Sequence, residues 1–173
     1  MSTVPNHALR QLRAGKLAIG LGVAQARTVG IATIAKTAGF DWLFIDGEHS
    51  SLDADTAAQI ATASLAVGVT PVVRVAGMEH WHASRMLDNG AQGIVFPHVD
   101  DAVQARRCAD ACRYPPVGKR GQRHPHLEAH QRLACRARTL RNASTAEMVS
   151  PCSIWRLPSA RIFRSASVSC VAS

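Results

Sequence analysis

The chain has 173 residues, 47% of them hydrophobic, with a formal net charge of +8. That length suits one domain with a real core. No apolar run approaches the ~20 residues of a membrane helix, and the N-terminus lacks the apolar stretch of a secretory signal, so a reduced, cytoplasmic protein is expected. The charge points to nucleic acid only until it is mapped. Residues 1–120 hold 12 Lys+Arg against 10 Asp+Glu, a net of +2, while residues 121–173 hold 8 Arg against 2 Glu, a net of +6. So sharp a shift marks a boundary.

In chain order, residues 6–14 predict a short helix with Asn6 as N-cap and Gly15 closing it. Residues 16–24 predict a buried strand. Residues 27–39 predict a helix with Val29, Ala32, Ile34, Ala35 and Ala38 on its apolar side, closed by Gly39. The pattern repeats: strand 41–46, helix 52–68 with Asp53 near its start and Gly68 at its end, strand 70–77, helix 79–90, strand 91–99, helix 100–113. Strand centres at Leu21, Ile45, Val73 and Val95 are 24, 28 and 22 residues apart, a spacing of parallel βαβ units. Continuous apolar strands predict a sheet buried on both faces. An open doubly wound sheet and a (βα)8 barrel both fit this grammar; a full barrel takes about 250 residues.

Beyond residue 121 the grammar ends. The last 53 residues are rich in Arg, Ser and Cys and contain no Asp. No fifth strand followed by an amphipathic helix is expected there; residues 127–143 read as a basic helix at most. Residues 122–173 are therefore expected to form an irregular, disordered tail. Its composition is that of a GC-rich gene read out of frame.

In parallel α/β folds chemistry gathers beyond the carboxyl ends of the strands. There the chain places Asp46, Glu48 and His49 after strand two and His98, Asp100 and Asp101 after strand four, with Arg74 a charge inside an otherwise apolar strand three. An unpaired buried guanidinium is costly. Arg74 therefore either pairs with a carboxylate, with Asp46 a candidate, or faces a cavity that takes an anion. Taken singly, His49 reads as a satisfied polar residue and Asp46 as the cap of the next turn.

The segments GFDWLFIDGEHSSLD, TPVVRVAG, MLDNGAQGIVFPHVDDAVQA and RYPPVGKRG, in that order within about residues 6–121, resemble the HpcH/HpaI aldolase/citrate lyase family of metal-dependent pyruvate aldolases. The resemblance implies the N-terminal half, about four βα units, of a TIM barrel, commonly assembled as a hexamer. It implies a carbon–carbon lyase that cleaves 4-hydroxy-2-oxo acids to pyruvate and an aldehyde, with a divalent metal (Mg, Mn or Co). By the same resemblance His49 is the general acid/base. Asp88 is its dyad partner, acting across a subunit contact or fixing the imidazole tautomer. Arg74 holds the pyruvate oxygen, and Asp46 is a rim carboxylate. Asp88 also reads simply as the end of a helix before Asn89–Gly90. The family's metal ligands, a Glu and an Asp after strands five and six, are not found; Glu147 lacks a strand around it. Weak or no activity is expected, with strands one and four left as open edges.

The remaining signals are weaker. Cys108 and Cys112 read as core or flank cysteines of a helix. Cys135, Cys152 and Cys170 show no zinc spacing. His124, His126 and His130 read as a solvated loop. His80 and His82 flank Trp81 at a helix start and can approach the rim. The glycines of AIGLGVAQ lack a following GK[ST] and form no phosphate loop. Two other functions compete: a basic nucleic-acid-binding tail, with only Trp155 and Phe163 for stacking, and a non-catalytic partner of intact aldolase subunits.

Overall fold

The computed structural model describes residues 4–121 and 167–171. The elements are α1 (His7–Arg13), β1 (Gly20–Val23), α2 (Gly30–Thr37), β2 (Trp42–Asp46), α3 (Ala54–Ala66), β3 (Thr70–Arg74), α4 (His80–Asp88), β4 (Gly93–Pro97), α5 (Ala102–Cys112) and β5 (Ser167–Val171). Strands β1 to β4 lie side by side in sequence order, each parallel to the next. With a helix after each, they form four consecutive βα units of the barrel type.

Local chemistry explains where the elements start and stop. Asn6 accepts from the Leu9 N–H, Asp53 from Thr56 and Asp101 from Gln104, so α1, α3 and α5 open on side-chain caps. Gly15, Gly39, Gly68 and Gly90 all take positive φ just past the ends of α1 to α4, a conformation that glycine adopts without a Cβ penalty. Strand β1 is shorter than the predicted 16–24. Its approach is held by Asp41 through both side chain and backbone: Asp41 Oδ2 accepts from Ile19 N–H at 2.8 Å, Gln11 donates to Oδ1, and the Asp41 N–H donates to the Ile19 carbonyl at 2.8 Å.

The core lies between the sheet and its helices. Leu43 and Ile45 of β2, Val73 of β3, Ile94 and Phe96 of β4, Ile60 of α3 and Cys108 of α5 are all buried there. The expected core role of Cys108 and Cys112 holds. Burial on both sheet faces does not. In β2 and β3 buried residues alternate with half-buried Trp42, Phe44, Val72 and Arg74, so the face turned away from the helices is partly open. On α2 the buried positions are Ala32 and Ala35, whereas Val29 and Ile34, expected on the apolar side, are exposed. The alanines let the helix approach the sheet closely, and the large side chains turn outward.

The far edge of β4 also departs from expectation. Strand β5 pairs with it antiparallel, Gly93 opposite Val171 through Pro97 opposite Ser167. So β4 is not an open edge, and this part of the tail is not irregular. An unpaired strand edge is a row of unsatisfied N–H and C=O groups that favours any complementary strand, and SVSCV alternates with the period of one. An antiparallel neighbour is not the parallel pairing of a (βα)8 barrel. The possible helix at 127–143, Glu147 and the tail histidines lie outside the described residues.

Candidate active site

Strand β2 ends on Asp46, and the chain folds tightly around that carboxylate. Asp46 Oδ1 accepts the backbone N–H groups of Glu48 at 2.9 Å and His49 at 3.2 Å, while Ser50 Oγ donates back to the Asp46 carbonyl. Gly47 makes the turn possible. Its N–H donates to the Arg74 carbonyl at 2.8 Å, and a Cβ there would stand 2.7 Å from that same oxygen. The DGEHS loop is thus seated directly on the end of β3.

Parallel register sets Asp46 opposite Arg74. The two side chains form a fork: Arg74 Nε donates to Oδ1 at 3.0 Å and Nη2 to Oδ2 at 2.6 Å. This resolves the two sequence alternatives for Arg74 in favour of a carboxylate pair. The guanidinium also lies 5.6 Å from the centre of the Phe44 ring, a cation–π contact. Burial alone would raise the Asp46 pKa, but the Arg74 hydrogen bond and the two backbone N–H groups outweigh it and hold the carboxyl below its ordinary range. In return the Asp46 bond raises the affinity of Arg74 for its proton.

Glu48 is the hub of this rim. Its carboxylate is 9% exposed; Oε2 stands 3.0 Å from Arg74 Nη1, and Oε1 stands 2.8 Å from His98 Nε2 and 3.7 Å from His49 Nε2. Both imidazoles face solvent, at 68% exposure for His49 and 78% for His98. The rim therefore combines a held guanidinium, two engaged carboxylates and two accessible imidazoles. A guanidinium can stabilise negative charge developing on an oxygen, and an exposed imidazole can take and return a proton near neutral pH.

Asp88 is not brought to this rim. It ends α4, and a helix that returns antiparallel to the strands finishes at their amino ends, the opposite pole from His49. There Asp88 Oδ1 accepts from Arg120 Nη2 at 2.6 Å. The expected bond from Asp88 to His49 is therefore not made within this chain, and reaching that imidazole takes a second copy. The bland reading, a helix end before Asn89–Gly90, describes its position better. His82, in the first turn of α4, stacks on Trp81 and stands 3.7 Å from Glu79.

Among the described residues, no group of three His, Cys, Asp or Glu side chains is arranged to hold a metal ion. Asp46 and Glu48 are already engaged with Arg74 and the imidazoles. The described rim thus does not fit the divalent metal that the resemblance implies. The pairing of two of these rim residues escaped sequence reasoning. Glu48 reads as a loop-orienting residue, and His98 as one polar residue among several after β4; their pairing follows only from β2 and β4 flanking β3. The usable signal was that all three strands end at one pole.

Comparison with known proteins bears on the family and the fold. The family model for HpcH/HpaI aldolase/citrate lyase matches residues 23–151. The chain belongs to the HpcH/HpaI aldolase/citrate lyase family. The match begins within the residue 6–121 range of the resemblance and runs 30 residues past its end. A 4-hydroxy-4-methyl-2-oxoglutarate aldolase of Hapsidospora irregularis is 46% identical over 109 residues, covering 61% of this chain and 40% of the relative. A hydroxypyruvate/pyruvate aldolase of Roseobacter denitrificans is 44% identical over 101 residues, covering 58% and 38%. The crystal structure of an HpcH/HpaI aldolase from Desulfitobacterium hafniense superposes with a TM-score of 0.64 at 29% identity, covering 67% of this chain and 45% of that one. This family member thus spans less than half the length of these relatives.

Proposed function

We propose that this chain carries the substrate-holding and proton-transferring rim of a pyruvate aldolase, a carbon–carbon lyase acting on 4-hydroxy-2-oxo acids. The observation that carries the reading is the Arg74 guanidinium fixed by Asp46 beside the exposed imidazole of His49. The relatives named above, both aldolases, support it.

In the cleavage direction His49 takes the proton of the 4-hydroxyl group. The C3–C4 bond breaks, the aldehyde leaves, and the bonding pair becomes the enolate of pyruvate. Negative charge collects on the 2-oxo oxygen, where Arg74 offsets it. His49 then returns the proton to C3. Asp46 keeps Arg74 in place, and Gly47 keeps the loop on β3. A divalent metal of the family kind would need ligands from outside the described residues, and no step here runs through one. We expect turnover roughly 10³-fold or more below that of full-length relatives, the scale of a lost Lewis acid.

Deuterium exchange into the pyruvate methyl group, followed by NMR, tests the reading. Slow exchange above the buffer rate should be seen, and His49→Ala and Arg74→Lys should each lower it by about 10² or more. Exchange no faster than buffer, or unchanged in His49→Ala, refutes it.

A further inference from the structure

Among the described residues His98 is the one non-glycine residue with positive φ, at 53°. It follows β4 directly, and the fully buried strand GIVFP gives the chain no slack before it. A residue with a Cβ populates this left-handed region at a cost, and such outliers persist where the surroundings hold them. Here the strained backbone delivers an imidazole to a particular place: Nε2 lies 2.8 Å from Glu48 Oε1.

The charges around Glu48 show what that contact does. Asp46 and Glu48 set two carboxylates against one guanidinium. A site with surplus negative charge repels the anionic oxygens of a 2-oxo acid. Asp46 occupies Arg74 Nε and Nη2 through hydrogen bonds. Nη1 donates nothing to Asp46 and is contested by Glu48 at 3.0 Å. Among the described residues the one close imidazole on the other oxygen of Glu48 is that of His98, because His49 stands off at 3.7 Å. We propose that His98 is a positioning residue: by holding Glu48 through Oε1 it competes with Arg74 Nη1 for that carboxylate, so that Nη1 can turn from Oε2 to the carboxylate or enolate oxygen of the substrate, while His49 stays free to move the proton. The inference rests on Arg74 as the holder of the pyruvate oxygen.

The test uses the full chain and the pyruvate exchange assay over a range of pyruvate concentrations. His98→Gly removes the imidazole and suits φ 53°, so its melting temperature should equal or exceed that of the wild type. Its KM for pyruvate should rise roughly tenfold while the saturating exchange rate stays within about threefold, the signature of lost binding and not of lost chemistry. Added imidazole should lower that KM again. Glu48→Gln removes the surplus charge, so His98→Gly should raise KM no further in that background. An unchanged KM in His98→Gly, or the same tenfold rise with and without Glu48, overturns the role of His98 and leaves the aldolase reading standing. Wild-type protein without exchange sinks both.

Discussion

The two poles of the sheet use the same chemistry for different ends. At the carboxyl pole Arg74 meets two carboxylates and two exposed imidazoles in a cluster open to solvent. At the amino pole Arg120, 8% exposed, meets Asp88 as its one carboxylate among the described residues and lies 4.6 Å from the centre of the Tyr114 ring. Its Nε is buried without a hydrogen-bond partner among the described residues. The first cluster keeps titratable groups accessible around a held cation. The second seals a loop, with Gly118 and Arg120 donating to the carbonyls of Tyr114 and Arg113. An arginine–carboxylate pair is thus not by itself a sign of function; what surrounds it and what it leaves exposed decide.

If the poles divide labour in this way, substitutions should separate rate from stability. The largest effect falls at the open pole: His49→Ala should lower pyruvate exchange by roughly 10²–10⁴ with an unchanged melting temperature, because the side chain is mostly exposed. At the sealed pole Asp88→Asn should cost about 3 kcal/mol in chemical denaturation by stranding a buried guanidinium. Its exchange rate per folded molecule should match the wild type. A stable Asp88→Asn protein that loses exchange would instead place Asp88 at the rim of a neighbouring copy.

Gly47→Ala tests the seat of the open cluster. Its Cβ meets the Arg74 carbonyl, so a loss of roughly 1–3 kcal/mol is expected, together with slower exchange; a neutral result would mean the loop shifts freely. Acid should act on the same pole. Asp46 has a folded pKa below its unfolded value of about 3.9. Its contribution to stability is therefore fully present above that unfolded value and is lost as pH falls through the folded one. Below about pH 4 the wild type should lose stability more steeply than Asp46→Asn, measured by denaturant titration. Smallest is Asn6→Ala, about 1 kcal/mol for the lost cap of α1, with no effect on exchange at the open pole.

Much of the fold was legible because helix caps and strand periods act over a few residues. Asn6 caps the helix it was expected to cap, Asp53 lies at the start of its helix as expected, and four strands lie parallel as their spacing implies. Positions decided by packing were not. Ile34 faces outward because Ala32 and Ala35 fit closer to the sheet. The pairing of β5 with β4 links segments some seventy residues apart, and nothing in SVSCV names its partner.

At the site, sequence alone determined the ingredients: Asp46, Glu48, His49, Arg74 and His98 each follow or end an apolar strand, which places them at one pole of a parallel sheet. Only tertiary structure decided their company. Register put Asp46 against Arg74, the close approach of Gly47 seated the loop, and β2 and β4 brought Glu48 to His98 across β3. It also sent Asp88 to the far pole. The reason is that strand ends separated by tens of residues meet through backbone register and helix direction, which no short stretch of sequence carries.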